Sequence, residues 1–344
     1  HQMDKPLSLT GPSLQQTLLS ESSDILFYLN LFGSYRPSRH DYSLPVLLWH
    51  YFISFSFLCY TFFFLLAGIL AVYYDATEYW WVLQFITLLK CIALRVAIIT
   101  IRKHFQSEVD SVFIEELYTS MDSSKLYFFV TEFANIFALS FYVAYYPNAA
   151  AVTFYLGSYA FTGYMATVVL VTIADARHAQ RLTQSLIASA SDGTLSPSVY
   201  TRTQARIESI AEKSFWIHGL LLIGMLCDAL CIIIVAFHYN GAIDNHSVSY
   251  AVAFVLFVVV LICVPDAMFL GFICPEILQV NILATQLHRT LASAKWPAMS
   301  SKEINRHDTI QVLLAFPIQF KTAGVHLTKS ELRNRGMGIA LAIS

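Results

Sequence analysis

The chain has 344 residues, of which 56% are hydrophobic and only 13% charged, and its mean hydropathy is +0.57. Soluble domains carry charge on roughly a quarter of their residues, so this composition excludes an ordinary soluble fold. The net charge of −2 hides a polarity along the chain: the basic residues gather where one face of a membrane would meet them, an arrangement that does not point to nucleic acid.

Residues 1–44 are polar and read as a cytoplasmic N-terminal segment. Within them, Ile25, Leu26, Phe27, Tyr28 and Leu29 form a short apolar patch suited to lying against the membrane. No compact apolar core follows a basic start, so the first span is expected to serve as its own targeting signal. Residues 45–174 contain four apolar runs, at 45–74, 79–101, 126–146 and 149–173. Each is near or above the roughly 20 residues that cross a hydrocarbon core. Residues 175–213 form a long cytoplasmic connection, broken by a turn at Ser191–Pro197 and resuming as helix over 201–213. Two further runs, 214–238 and 248–274, fill residues 214–274.

Residues 275–327 are read as cytoplasmic anchor helices, over 277–294 and 302–320, with apolar residues at helical spacing. Residues 328–344 begin a seventh helix. The nine residues from Gly336 rise only about 14 Å at roughly 1.5 Å each, so a last span cut short is expected.

Charge orients these segments. The connections 75–78, 147–148 and 239–247 contain neither Lys nor Arg. Lys5, Arg36, Arg39, Arg102, Lys103, Lys125, Arg177, Arg181, Arg202, Arg206, Lys213 and the basic residues beyond the sixth run all fall on the opposite side. Basic residues are retained in the cytoplasm, which places the N-terminus inside. The sequon at Asn245 then lies outside, as a glycosylation acceptor requires. The expected fold is an all-α membrane protein of seven transmembrane helices with a cytoplasmic N-terminus. Helices four to six have long cytoplasmic extensions, and the last helix is split.

Five ionisable residues fall inside the runs: Lys90, Arg95, Glu132, Asp228 and Asp266. Charge at such depth costs several kcal/mol unless it is paired or wetted, so these residues mark ion pairs, cavities or pathways. Arg95 and Glu132 are at equal depth, about 10 Å from the inner ends of their runs, and are expected to pair. Lys90 and Asp228, both near mid-membrane, form a second candidate pair. In the outer halves, aromatic and polar residues share helix faces and suit a small, mostly apolar ligand: Trp80 with Gln84, Phe137 with Phe141 and Tyr145, Tyr155 with Tyr159, and Phe254 with Phe257. Packing aromatics and an interfacial belt account for the same residues more plainly. The cysteines all lie within runs and read as reduced packing thiols. The histidines are dispersed singly, no phosphate-binding, metalloprotease or nucleophile-elbow motif occurs, and neither a metal, a cofactor nor an enzymatic activity is expected.

Phe316-Pro317-Ile318-Gln319-Phe320-Lys321-Thr322-Ala323-Gly324 is similar to the phenylalanine–alanine–glycine junction in the split last helix of the insect gustatory and odorant receptor superfamily. The inferred architecture resembles that family over nearly the whole chain, as a divergent, gustatory-receptor-like member. The family's C-terminal threonine–tyrosine and glutamine–phenylalanine signature is absent. The resemblance implies a tetrameric ligand-gated cation channel, here most simply a homotetramer, in the plasma membrane. Its partners would be a small organic ligand, the permeating ion and lipid. It also implies a pore lined by the last helix through Met337, Ala340 and Leu341, subunit contacts at Leu313 and Phe316, and a ligand pocket in the outer halves of helices two, three, four and six. The rivals are a secondary transporter using the intramembrane charges and a non-conducting ligand-binding membrane protein. A G-protein-coupled receptor is opposed by the charge asymmetry.

Overall fold

The computed structural model describes residues 23–34, 44–73, 80–106, 111–145, 149–213 and 248–293, with parts of 217–225 and 307–326. Its helices are α1 (Ser23–Leu31), α2 (Leu44–Tyr73), α3 (Trp80–Gln106), α4 (Ser111–Tyr145), α5 (Ala149–Ser191) and α6 (Val248–Ser293). Residues 197–213 are also helical. A short antiparallel hairpin joins β1 (Lys321–Thr322) to β2 (Val325–His326).

Among the described residues, four helical segments are long and apolar enough to cross a membrane: Leu44–Leu70, Gln84–Lys103, Tyr155–Ser191 and Val264–Leu291. The first has no polar face, as a lipid-bathed helix requires, and Phe55, Leu58, Phe62 and Leu66 stand exposed along it. α5 is different. Of its most apolar stretch 78% is buried, against 33% in each of the other three, so α5 is the axis around which the rest pack. Its sequence explains this. Gly157, Ser158, Ala160, Thr162, Gly163 and Ala166 are small, and small residues let neighbouring helices approach closely where lipid supplies no hydrophobic drive. Tyr60 of α2 lies over Gly157 and Phe32 over Gly163, so closely that a Cβ at either glycine would collide with the ring.

α1 is a correction to the sequence reading. Ile25, Leu29 and Phe32 are fully buried, and the segment is a wedge inside the bundle rather than a patch on a membrane surface. Every polar end of it is met. The Tyr28 hydroxyl lies 2.8 Å from Ser124 Oγ, which donates to the Ala166 carbonyl. Ser34 Oγ lies 2.7 Å from Thr167 Oγ1, and Trp49 Nε1 donates to the Leu31 carbonyl. The Arg102 guanidinium donates to the carbonyls of Gly33 and Ser34. Gly33 closes the helix in the left-handed conformation, with φ 61°, and the Gly33 and Ser34 amides donate to the orphan carbonyls of Asn30 and Leu29.

Below the spans the helices continue. α5 runs to Ser191, and Gly193, with φ 67°, ends it, its amide donating to the Ala190 carbonyl. Ser196 and Pro197 then start the next helix, the serine as N-cap and the proline at a position that needs no amide hydrogen. Leu195, Tyr200, Gln204, Ile207 and Ile210 form its buried face. α4 begins at Ser111, well before the run at 126–146, so helix three projects as well as helices four and six. The buried series Phe113, Ile114, Leu117 and Met121 carries this extension at helical spacing.

The helix expected over 302–320 is shorter: helical residues reach 315, while Ile318 and Phe320 are out of the helix. Pro317 explains the difference, because the residue before a proline is pushed away from helical geometry. The strand pair that follows falls on the lysine–threonine–alanine–glycine junction.

Candidate ligand site and the polar lattice beneath it

Between α4 and α5, centred on the Glu132 that the sequence puts about 10 Å from the inner end of its run, lies a polar group. Glu132 and Asn135 project from α4, one helical turn apart. Tyr155, Tyr159 and Thr162 project from one face of α5 at spacings of four and three. Asn135 Nδ2 donates to Thr162 Oγ1 at 2.8 Å and, more distantly, to Glu132 Oε2 at 3.4 Å. Glu132 is only 7% exposed, and its Oε1 accepts no hydrogen bond. The Thr162 and Tyr155 hydroxyls hydrogen-bond the carboxyl group, and Tyr159 lies within electrostatic reach of it. Phe128 closes the inner side, its ring centroid 5.6 Å from that of Tyr159 at 90°.

The expected pair of Arg95 with Glu132 does not form. Arg95 Nη1 donates instead to the Tyr164 hydroxyl of α5 at 3.2 Å. Depth matched, but lateral position did not: α5 packs against both α3 and α4 and stands between them. No described ion pair involves Glu132.

The other sequence candidates scatter. Lys90 lies over the Phe161 ring, 5.8 Å from its centroid, with its stem beside Gly224, four residues before Asp228. Asp228 itself is outside the described residues, and Asp266 is partly buried in α6. Gln84 packs toward Gly68 of α2, with its Oε1 buried and unbonded. Phe137 is 45% exposed, on the outer surface of α4 and away from a common site with Tyr155 and Tyr159. Trp80, Phe141, Tyr145, Phe254 and Phe257 lie on helices, but their side chains are outside the described residues, as are Asn245, Leu313, Phe316, Met337, Ala340 and Leu341. Among the described residues, Cys59, Cys91 and Cys274 are free thiols.

Beneath the site a second polar group joins α4, α5 and α6. Arg177 of α5 donates through Nε and Nη2 to Glu276 Oε1 at 2.9 and 2.7 Å. Gln180 Nε2 donates to the other oxygen at 2.8 Å and to the Glu276 carbonyl at 2.9 Å, and Arg177 Nη1 reaches the Thr119 carbonyl. One turn on, Arg181 holds Glu115 bidentately at 2.7 and 3.0 Å, and its Nε pairs with the buried Glu116. The Arg181 hydrogen bonds hold the Glu115 carboxyl below the usual carboxylate range. Sequence reasoning placed Arg177 and Arg181 only as topology markers and passed over their partners. The available signal was the continued helical pattern through Phe113 and Leu117, which puts Glu115 and Glu116 on a structured face.

At the base, Asn281 of α6 binds the backbone of Phe320 twice, accepting from its amide at 3.1 Å and donating to its carbonyl at 3.2 Å. Phe320 is fully buried there. The Tyr200 hydroxyl meets the Ile318 backbone, and burial pushes that hydroxyl up to about 12.

No family model and no curated protein matches this chain. Its fold is similar to a solved structure, the insect olfactory receptor OR5 from Machilis hrabei, with a TM-score of 0.59 at 12% sequence identity. The match covers 95% of this chain and 97% of that one, so the whole helical arrangement is shared while the side chains are almost wholly replaced.

Proposed function

We propose that this chain is a subunit of a chemoreceptor-like ligand-gated channel. The observation that carries the reading is the fold shared end to end with an insect olfactory receptor. The one-sided distribution of Lys and Arg supports it independently. In this reading seven helices cross the plasma membrane with the N-terminus inside. Residues 1–44, 175–213 and 275–327 are cytoplasmic, residues 45–174 and 214–274 hold the first six spans, and 328–344 open the seventh. Four copies surround a pore through Met337, Ala340 and Leu341, with Leu313 and Phe316 at the subunit contact. Ligand binds between α4 and α5, where Tyr155 and Tyr159 from the sequence expectation join Glu132, Asn135 and Thr162. The lattice of Arg177, Arg181, Glu116 and Glu276 lies on the route from that site to the anchor and holds three helices in register.

The test is electrical. Purified full-length protein in a planar bilayer, with its oligomeric state counted by mass, should be a tetramer that passes current on addition of small organic compounds. A monomer that responds to ligand, or a tetramer that takes up substrate without current, would overturn the channel in favour of a ligand-binding protein or a transporter.

A further inference from the structure

Glu132 is a buried intramembrane acid whose partners among the described residues are all neutral. It is buried in α4, with Oε1 unbonded and Oε2 accepting from Asn135 at 3.4 Å, and its other partners, the Thr162 and Tyr155 hydroxyls, are neutral. None of the described ion pairs includes it. A carboxylate at such depth is costly without a counter-charge, and the chain's nearest expected cation, Arg95, is committed to Tyr164. The groups around the carboxyl have a common chemistry. The Thr162 and Tyr155 hydroxyls donate to the carboxyl and keep free lone pairs, the Asn135 side-chain carbonyl is an acceptor, and the rings of Tyr155 and Tyr159 present faces that attract cations.

Resting on the receptor reading above, we propose that Glu132 is the anionic anchor of a ligand site that takes a small protonated primary amine with an apolar body. The ammonium carries three donors: one for Glu132 Oε1, one for Oε2 and one for a neighbouring oxygen. The apolar body lies outward along Tyr155 and Tyr159. A bare metal ion is a poorer occupant. Hard cations collect six or more oxygens, whereas this group offers one carboxylate among aromatic rings, and no cluster of three acidic, histidine or cysteine ligands occurs among the described residues. An alcohol of the same shape would leave the acid without a counter-charge, so the site discriminates by charge.

The experiment uses the full-length protein in lipid nanodiscs and reads its melting temperature. The probes are 2-phenylethylamine and hexylamine hydrochlorides, set against 2-phenylethanol and hexanol. The amines should raise the melting temperature in a saturable way, and the alcohols should need at least tenfold higher concentration for the same rise. Glu132→Gln should abolish the advantage of the amines and leave the alcohols unchanged. Glu132→Asp, which keeps the charge on a shorter stem, should retain part of it and covers the case in which the first variant does not fold. Equal potency of amine and alcohol, no rise with either amine, or an amine effect that survives in Glu132→Gln would overturn the proposal. So would a Glu132-dependent rise produced by sodium chloride relative to choline chloride, which would assign the site to an inorganic cation. Currents evoked by neutral compounds without any amine preference would sink the amine site and leave the channel. Amine binding without current in any condition would do the reverse.

Discussion

Glu116 and Glu132 are both buried acids on the same helix, α4, and they meet opposite surroundings. Glu116 is paired with Arg181, which also grips Glu115 with two hydrogen bonds, and the Thr119 hydroxyl donates to its carboxyl at 3.1 Å. Glu132 has only neutral partners, Asn135 at 3.4 Å with the Thr162 and Tyr155 hydroxyls, and no cation among the described residues. The difference separates two uses of a buried charge. Where helices must be held in register, the fold supplies both charges of the pair. Where a partner is to come from outside, it supplies only one. A buried acid without an internal counter-charge is better explained by something it binds than by something it holds up.

The comparison breaks most visibly at Arg181. Arg181→Met leaves Glu116 buried without its counter-charge and should cost about 3 kcal/mol, since stranding one member of a buried pair is more damaging than the pair is stabilising. Thermal unfolding of the purified protein checks it, and a loss no greater than that of an exposed-surface control would remove the lattice from the account. Next in size is Asn281→Ala, which frees the amide and carbonyl of a buried Phe320 and should cost about 2 kcal/mol. The same melting experiment reads that change, and protease sensitivity after residue 293 should rise with it.

A smaller effect sharpens the contrast at Glu132. Arg95→Met and Glu132→Leu should be additive in stability within about 0.5 kcal/mol, because no described ion pair and no common hydrogen-bond partner links the two side chains. Coupling larger than about 1 kcal/mol would restore the ion pair that their equal depth suggested. The smallest effect is on pH dependence. Hydrogen bonding by Arg181 depresses the Glu115 carboxyl in the folded protein, so its contribution is present above the ordinary carboxylate value and fades as pH falls through the lower folded value. Glu115→Gln should therefore flatten the acid limb of the melting-temperature profile slightly, with the neutral and alkaline limbs unchanged.

Much of the architecture was legible because the bilayer imposes a length and a charge rule that a single sequence displays. The helical runs, the turn after Ser191 and the continued helix past Cys274 all follow from apolar length, glycine and proline placement, and helical spacing. Contacts between helices were not legible. Depth along a helix can be counted in residues, but rotation about its axis and the identity of its neighbour cannot, which is why Arg95 was assigned to Glu132 and met Tyr164 instead. α1 escaped for a related reason: nine residues are too few to span, and only the small residues of α5 reveal that a wedge can fit there. That Tyr155 and Tyr159 share a helix face was legible, while Asn135 and Thr162 carried no signal of their own until α4 and α5 came together.

The most direct measurement is the melting temperature of Glu132→Leu beside that of Arg181→Met, in the same nanodiscs and without added ligand. If Glu132 awaits a cation from outside, an apolar residue of similar size removes a burden, and the variant should melt at or above the parent while Arg181→Met melts several degrees below. A loss in Glu132→Leu as large as that in Arg181→Met would show that the acid is a structural member of the bundle and contradict the account.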